Sequence, residues 1–161
     1  MSSFYVILRG PAGSGKTTLA EMLAQKYNGL HMNIDKVKKE VGLRHSEEEK
    51  LEANKIIIPK IVKSLGEGTP VILDEVLYYE SQLSQLEQLP FQHYLFSLNT
   101  PLQVCLDRNR KRVELGGRET TDDAIRLVHN LVSKIKRGIV IDTYNQTIDE
   151  SFREILYYLP G

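Results

Sequence analysis

Gly10-Pro-Ala-Gly-Ser-Gly15-Lys16-Thr17 is the stretch on which the fold turns. Its glycines let the backbone bend tightly and aim successive N–H groups at one point. A short apolar run, residues 4–8, leads into it, and Leu19, Met22, Leu23 and Tyr27 recur at helical spacing beyond it. Strand, glycine-rich turn and helix stand in the register of a phosphate cradle: Gly, four residues, then Gly-Lys-Ser/Thr. The positive end of the helix dipole adds to the attraction for an anion. The pattern predicts phosphate contacts from Gly10, Pro11, Ala12, Gly13, Ser14, Gly15, Lys16, Thr17 and Thr18. Lys16 is expected to reach the β- and γ-phosphates, and Thr17 to offer its hydroxyl to Mg²⁺.

Outward from this loop, short apolar runs alternate with longer helical patterns. The runs are residues 4–8, 30–34, 71–73, 94–98 and 139–141. Such alternation predicts a parallel sheet with crossover helices, here five strands and seven helices in three layers. Ser46 with Glu49, and Thr147 with Glu150, read as capping boxes. Thr100 before Pro101 reads as a helix start that Gln103 would complete. Thr120 or Thr121 opens the next helix. Pro59 lies inside a helical pattern and predicts a kink or a break.

Ligands of open parallel sheets bind beyond the carboxyl ends of the strands. Two acids stand at such ends. Asp74 closes the run 71–73 and is the candidate second-shell ligand of Mg²⁺; Glu75 beside it is placed to orient a water. Asp35 closes the second run, where a carboxylate can take the proton of an attacking hydroxyl. It is also placed to cap a helix over 36–42. Lys38 is expected either to hold an anionic group of the acceptor or to be an ordinary solvated lysine. A basic cluster, Arg108, Arg110, Lys111 and Arg112, precedes Gly116-Gly117-Arg118. Glycines beside arginines suit a mobile lid over about 108–120. Arg112 and Arg118 would stabilise the moving phosphoryl charge and Arg108 would stack on the base; equally, cations at a helix C-terminus complement its dipole. Residues 141–145 would line the base pocket or form a capped surface loop. His31, His45, His93 and His129 show no metal-ligand spacing.

The 161 residues carry 21 Lys+Arg against 21 Asp+Glu. That length predicts one domain, and the zero balance argues against a protein that coats nucleic acid. No apolar run approaches the ~18 residues that span a membrane. The single cysteine, Cys105, suits a reducing cytoplasm and reads as a small buried hydrophobe.

Taken in chain order, the loop 10–17, Asp35, Asp74, the lid and the Ile141-Asp142-Thr143 segment resemble the small P-loop kinases that phosphorylate hydroxyl groups. These include gluconate and shikimate kinases, chloramphenicol phosphotransferase, zeta toxins and polynucleotide 5′-hydroxyl kinases. The resemblance spans essentially the whole chain. It implies a single P-loop kinase domain over 1–161, sheet order 2-3-1-4-5, and an arginine-bearing lid. It also implies ATP with Mg²⁺, and transfer to a small molecule or a nucleic-acid 5′-end, with no membrane and no obligate protein partner. Asp35 followed by Lys38 is similar to the polynucleotide kinases, whose basic residue is usually arginine. A nucleotide-dependent regulatory ATPase working through Glu75 is the competing expectation.

Overall fold

The computed structural model describes residues 3–117 and 120–161. Five strands among these residues run parallel: β1 (Phe4–Arg9), β2 (Leu30–Asn33), β3 (Val71–Glu75), β4 (Gln92–Asn99) and β5 (Ile139–Asp142). Their order is β2-β3-β1-β4-β5, as expected. Among the described residues seven helices cover the sheet: α1 (Lys16–Tyr27), α2 (Ile34–Glu40), α3 (Glu47–Gly66), α4 (Glu80–Glu87), α5 (Leu102–Glu114), α6 (Asp122–Ser133) and α7 (Ile148–Tyr158).

The pleat of the central strand sorts the core into two layers, because alternate side chains point to opposite faces. Phe4, Val6 and Leu8 pack against Leu19 and Leu23 of α1 and Ile155 of α7. Tyr5 and Ile7 pack against Ile57 and Ile61 of α3 and Leu83 and Leu86 of α4. The Tyr5 hydroxyl donates to the Leu86 carbonyl, so the ring is buried without an orphaned donor. The same alternation separates the neighbours Asp74 and Glu75. Asp74 follows Ile72 toward α1, while Glu75 follows Leu73 toward α3.

Arg9 ends β1 on the face of Tyr5 and Ile7 and is only 1% exposed. Its guanidinium donates to the Leu77 carbonyl at 3.0 and 3.2 Å, to Val132 at 3.0 Å, to Ile135 at 2.9 Å and to the Ser97 hydroxyl at 2.9 Å. The Val132 carbonyl belongs to the last turn of α6, where helix carbonyls lack intrahelical partners and the dipole is negative, and the Ile135 carbonyl lies just past the helix end. Burial pulls the Arg9 pKa below an arginine's ordinary value, and the charge of Glu80 opposes that shift. Leu77 itself sits in the left-handed region (φ 52°).

Two local expectations need correction, and the expectation of a kink or a break at Pro59 loses its second half. α3 runs through Pro59 without a break; Pro59 is exposed, so water can take the carbonyl that its missing N–H leaves free. Thr100 does not cap α5. It is buried, its hydroxyl bonds that of Thr143 at 2.6 Å, and Pro101 occupies the cap position. Gln103 bonds Asp107 instead of completing a box. Asp35 does not cap either. Asn33 does so, accepting from the Lys36 N–H at 3.0 Å, and Asp35 lies in the first turn of α2. The boxes at Ser46 and Thr147 form as caps, although Glu49 reaches the Arg44 N–H.

Candidate active site

The glycine-rich loop leaves the buried end of β1 and enters α1 at the carboxyl edge of the sheet. Gly13 (φ 85°) and Gly15 (φ 91°) take the left-handed conformation. At Gly13 space is also lacking: a Cβ there would stand 3.2 Å from the Cα and carbonyl oxygen of Cys105 in α5. Gly15 is the N-cap of α1 and provides no side-chain acceptor for the first-turn N–H groups. Those donors are what an anion would take up. The Ser14 hydroxyl is buried and has no hydrogen-bond partner among the described residues.

Lys16 Nζ lies 3.3 Å from the Pro11 carbonyl, folded over its own loop. Thr17 donates to Asp74 Oδ1 at 3.2 Å. On the opposite oxygen, Asp74 Oδ2 meets His31 Nε2 at 2.5 Å. Strand register explains that meeting, since His31 pairs with Ile72 and so shares a face with Ile72 and Asp74. Nothing in the local sequence marks His31; only the pairing of β2 with β3 does. Among the described residues, no three or more His, Cys, Asp or Glu gather that could hold a metal alone. A divalent ion at Thr17 and Asp74 would therefore draw its remaining ligands from phosphate and water, which suits Mg²⁺. One hydroxyl and one carboxylate in contact form a fitting donor set.

Beside the loop lies an open cleft of about 290 Å³. Its walls are Gly13, Ser14, Gly15 and Thr18 on one side, Arg108 and Arg112 on another, and Thr143, Gln146 and Ile148 on the third. Arg108 donates to the Gly13 carbonyl at 2.7 Å, which ties α5 to the loop. Arg112 joins the wall from the last turn of α5. Arg118 lies outside the described residues. Cys105 is fully buried, and burial pushes its thiol pKa up, in keeping with a packing role. Sequence reasoning named residues 141–145 for this wall; Gln146 and Ile148 join Thr143 there.

Across the edge, the β2–β3 side is differently arranged. Lys38 is 1% exposed and pairs with Glu75 at 2.7 Å. Lys50 of α3 pairs with the same Glu75 oxygen at 3.2 Å, and Gln82 donates to the other oxygen at 2.8 Å. Lys38 thus does not project into solvent as a solvated lysine would; it pairs with an internal carboxylate. Glu75 likewise cannot orient a water while it lies buried between two ammonium groups. Burial pushes the Glu75 pKa up, but Lys50 and Lys38 outweigh it and hold the carboxyl below its ordinary value. Burial draws Lys50 down to about 8 against the pull of Glu75. The Tyr78 ring covers Lys50, with Nζ 4.4 Å from its centroid. His45 is also held below its ordinary pKa, first by burial and then by the charges of Lys38 and Lys50. Asp35 is partly exposed above this cluster, 3.7 Å from Lys38 and 3.4 Å from Lys39.

Known proteins share this arrangement of sheet and loop. A family model described as an AAA domain matches residues 6–135. No curated protein matches the chain. Among solved structures, a gluconokinase from Sinorhizobium meliloti 1021 superposes with a TM-score of 0.71 at 17% identity, covering 97% of this chain and 91% of its own. An APS kinase from Mycobacterium tuberculosis, in complex with AMPPNP and APS, gives 0.74 at 15% identity over 97% and 96%. A chain of the Pnkp1/Rnl/Hen1 RNA repair complex gives 0.69 at 20% identity, covering 84% of this chain and 47% of its own. At these identities the likeness is one of fold: a parallel P-loop sheet shared with small kinases. Among the described residues no helix is long and apolar enough to cross a membrane.

Proposed function

We propose that this chain, which belongs to the AAA domain family through residues 6–135, is an ATP-dependent kinase that transfers the γ-phosphoryl group to a hydroxyl. One observation carries the reading: the Thr17–Asp74 contact sits beside a glycine-rich cradle whose Ser14 hydroxyl is buried and without a partner among the described residues. Loop N–H groups and Lys16 would hold the phosphates, with the base in the cleft walled by Arg108, Thr143 and Gln146. Thr17 and Asp74 would hold Mg²⁺, which when bound neutralises charge between the β- and γ-phosphates. The acceptor oxygen forms its bond to the γ-phosphorus as the bond to the β–γ bridging oxygen breaks. ADP leaves, and the hydroxyl proton passes to the Asp35 carboxylate. Arg112, and Arg118 beyond the described residues, would meet the developing charge.

The acceptor is either a small molecule or a nucleic-acid 5′-end. Labelled γ-phosphoryl transfer to sugars, small alcohols and 5′-hydroxyl oligonucleotides separates them, and a salt-sensitive rate points to the polyanion. ADP release should rise with one acceptor. In Asp35→Asn, transfer should fall about 10²- to 10⁴-fold while AMPPNP binding is unchanged. Release indifferent to every acceptor would overturn the kinase reading. Full activity in Asp35→Asn would overturn the base.

A further inference from the structure

Asp74 is a buried carboxylate, 1% exposed, gripped at both oxygens. Thr17 donates to Oδ1 and His31 approaches Oδ2. The two grips differ in what they can fix. A Thr17 hydroxyl that lends a lone pair to a metal keeps its one O–H donor for Asp74, but that single bond is satisfied by either carboxylate oxygen. Held there alone, the carboxylate could rotate about its Cβ–Cγ bond and exchange its oxygens. His31 comes from another strand, on a ring fixed by the β2–β3 register, and keeps Oδ2 occupied. Oδ1 is thereby left facing Thr17.

We propose that His31 is a positioning residue for Asp74: it orients the carboxylate that faces Thr17 and so raises the affinity for the magnesium-bound nucleotide over the magnesium-free one. The inference rests on the nucleotide–Mg²⁺ reading above, not on the identity of the acceptor. The orientation requires only a proton on Nε2, which lets the ring donate to Oδ2. Partners that orient ligand carboxylates commonly change metal affinity 10- to 100-fold when removed, by order of magnitude.

The test is calorimetric binding of AMPPNP to the whole chain, with excess Mg²⁺ and again with EDTA, in wild type, His31→Leu and His31→Gln. The Mg²⁺-free Kd of His31→Leu should stay within about twofold of wild type. Its Mg²⁺-bound Kd should rise about tenfold, and the Mg²⁺ midpoint of a titration at fixed AMPPNP should move up by a similar factor. His31→Gln, whose amide N–H also reaches a carboxylate, should recover most of the difference. An unchanged ratio of the two Kd values in His31→Leu would overturn the proposal. So would a parallel loss of both affinities, which marks a structural role, or a His31→Gln as defective as His31→Leu. Wild type showing no Mg²⁺ effect would remove this inference and the metal reading together. A wild type that binds Mg²⁺–AMPPNP with the expected His31 dependence, yet phosphorylates no hydroxyl, would remove the kinase reading alone.

Discussion

Around Gly13 and Arg108, polar groups line an open cleft, and the Ser14 hydroxyl has no partner among the described residues. A short way along the same sheet edge, Lys38, Lys50, Glu75 and Gln82 have turned inward and satisfied one another. The first region is arranged around an open space. The second spends its charges on the fold, and Asp35 stands partly exposed above them. Charged residues beside a candidate active site are therefore not all site residues; burial and pairing decide which are.

This contrast can be broken at either region. The largest effect is expected at Glu75. Glu75→Gln leaves two buried ammonium groups facing an amide, and removing one partner of a buried ion pair costs about 3–5 kcal/mol. Urea denaturation should show that loss, while AMPPNP affinity in the folded fraction stays within a few-fold. An unaffected midpoint would mean that the cluster is not structural. Next is Lys16→Met in the open region. Phosphoryl transfer should fall about 10²- to 10³-fold, with the urea midpoint unchanged. A matching loss of stability would erase the distinction between the two regions.

A third, smaller effect is a pH dependence. With its folded pKa near 8 against an ordinary 10.5, Lys50 holds fewer protons in the native than in the unfolded chain between those values. Stability should therefore rise from about pH 8 toward 10.5, relative to Lys50→Met, in which this slope is absent. Tyr5 and Tyr78, both pushed up to about 12, oppose it only above pH 10. Urea midpoints at pH 7.5, 8.5 and 9.5 isolate the effect, and parallel curves for the two proteins would refute it.

The same division separates the features legible in the sequence from those that were not. The loop 10–17 is contiguous, and its neighbours declare themselves by apolar runs and helical spacing, so the strands and the helix behind the loop could be read directly, while the strand order came from the resemblance to small P-loop kinases. Thr147 and Glu150 lie three positions apart and formed their box as read. The Thr100 expectation failed because Thr143, far along the chain, offered its hydroxyl a better partner than the helix start. The solvated reading of Lys38 failed for a similar reason: its carboxylate is on β3 and its fellow lysine on α3. His31 went unmarked because its meaning depends on which side chains of β3 share its face. Short-range chemistry is written in spacing, whereas these pairings exist only after the sheet is assembled.

Arg9 carries that assembly into the dynamics of the chain. Its cation is buried against the Val132 carbonyl of α6, the Ile135 carbonyl just past that helix, the Leu77 carbonyl and the Ser97 hydroxyl. Detaching α6 alone would strand a desolvated charge at the end of the central strand. Hydrogen exchange in α6 should then follow wider openings that also release β1, making these distant segments one cooperative unit. The residue immediately before the glycine-rich loop would thus join the fate of the helix after Thr121 to that of the first strand.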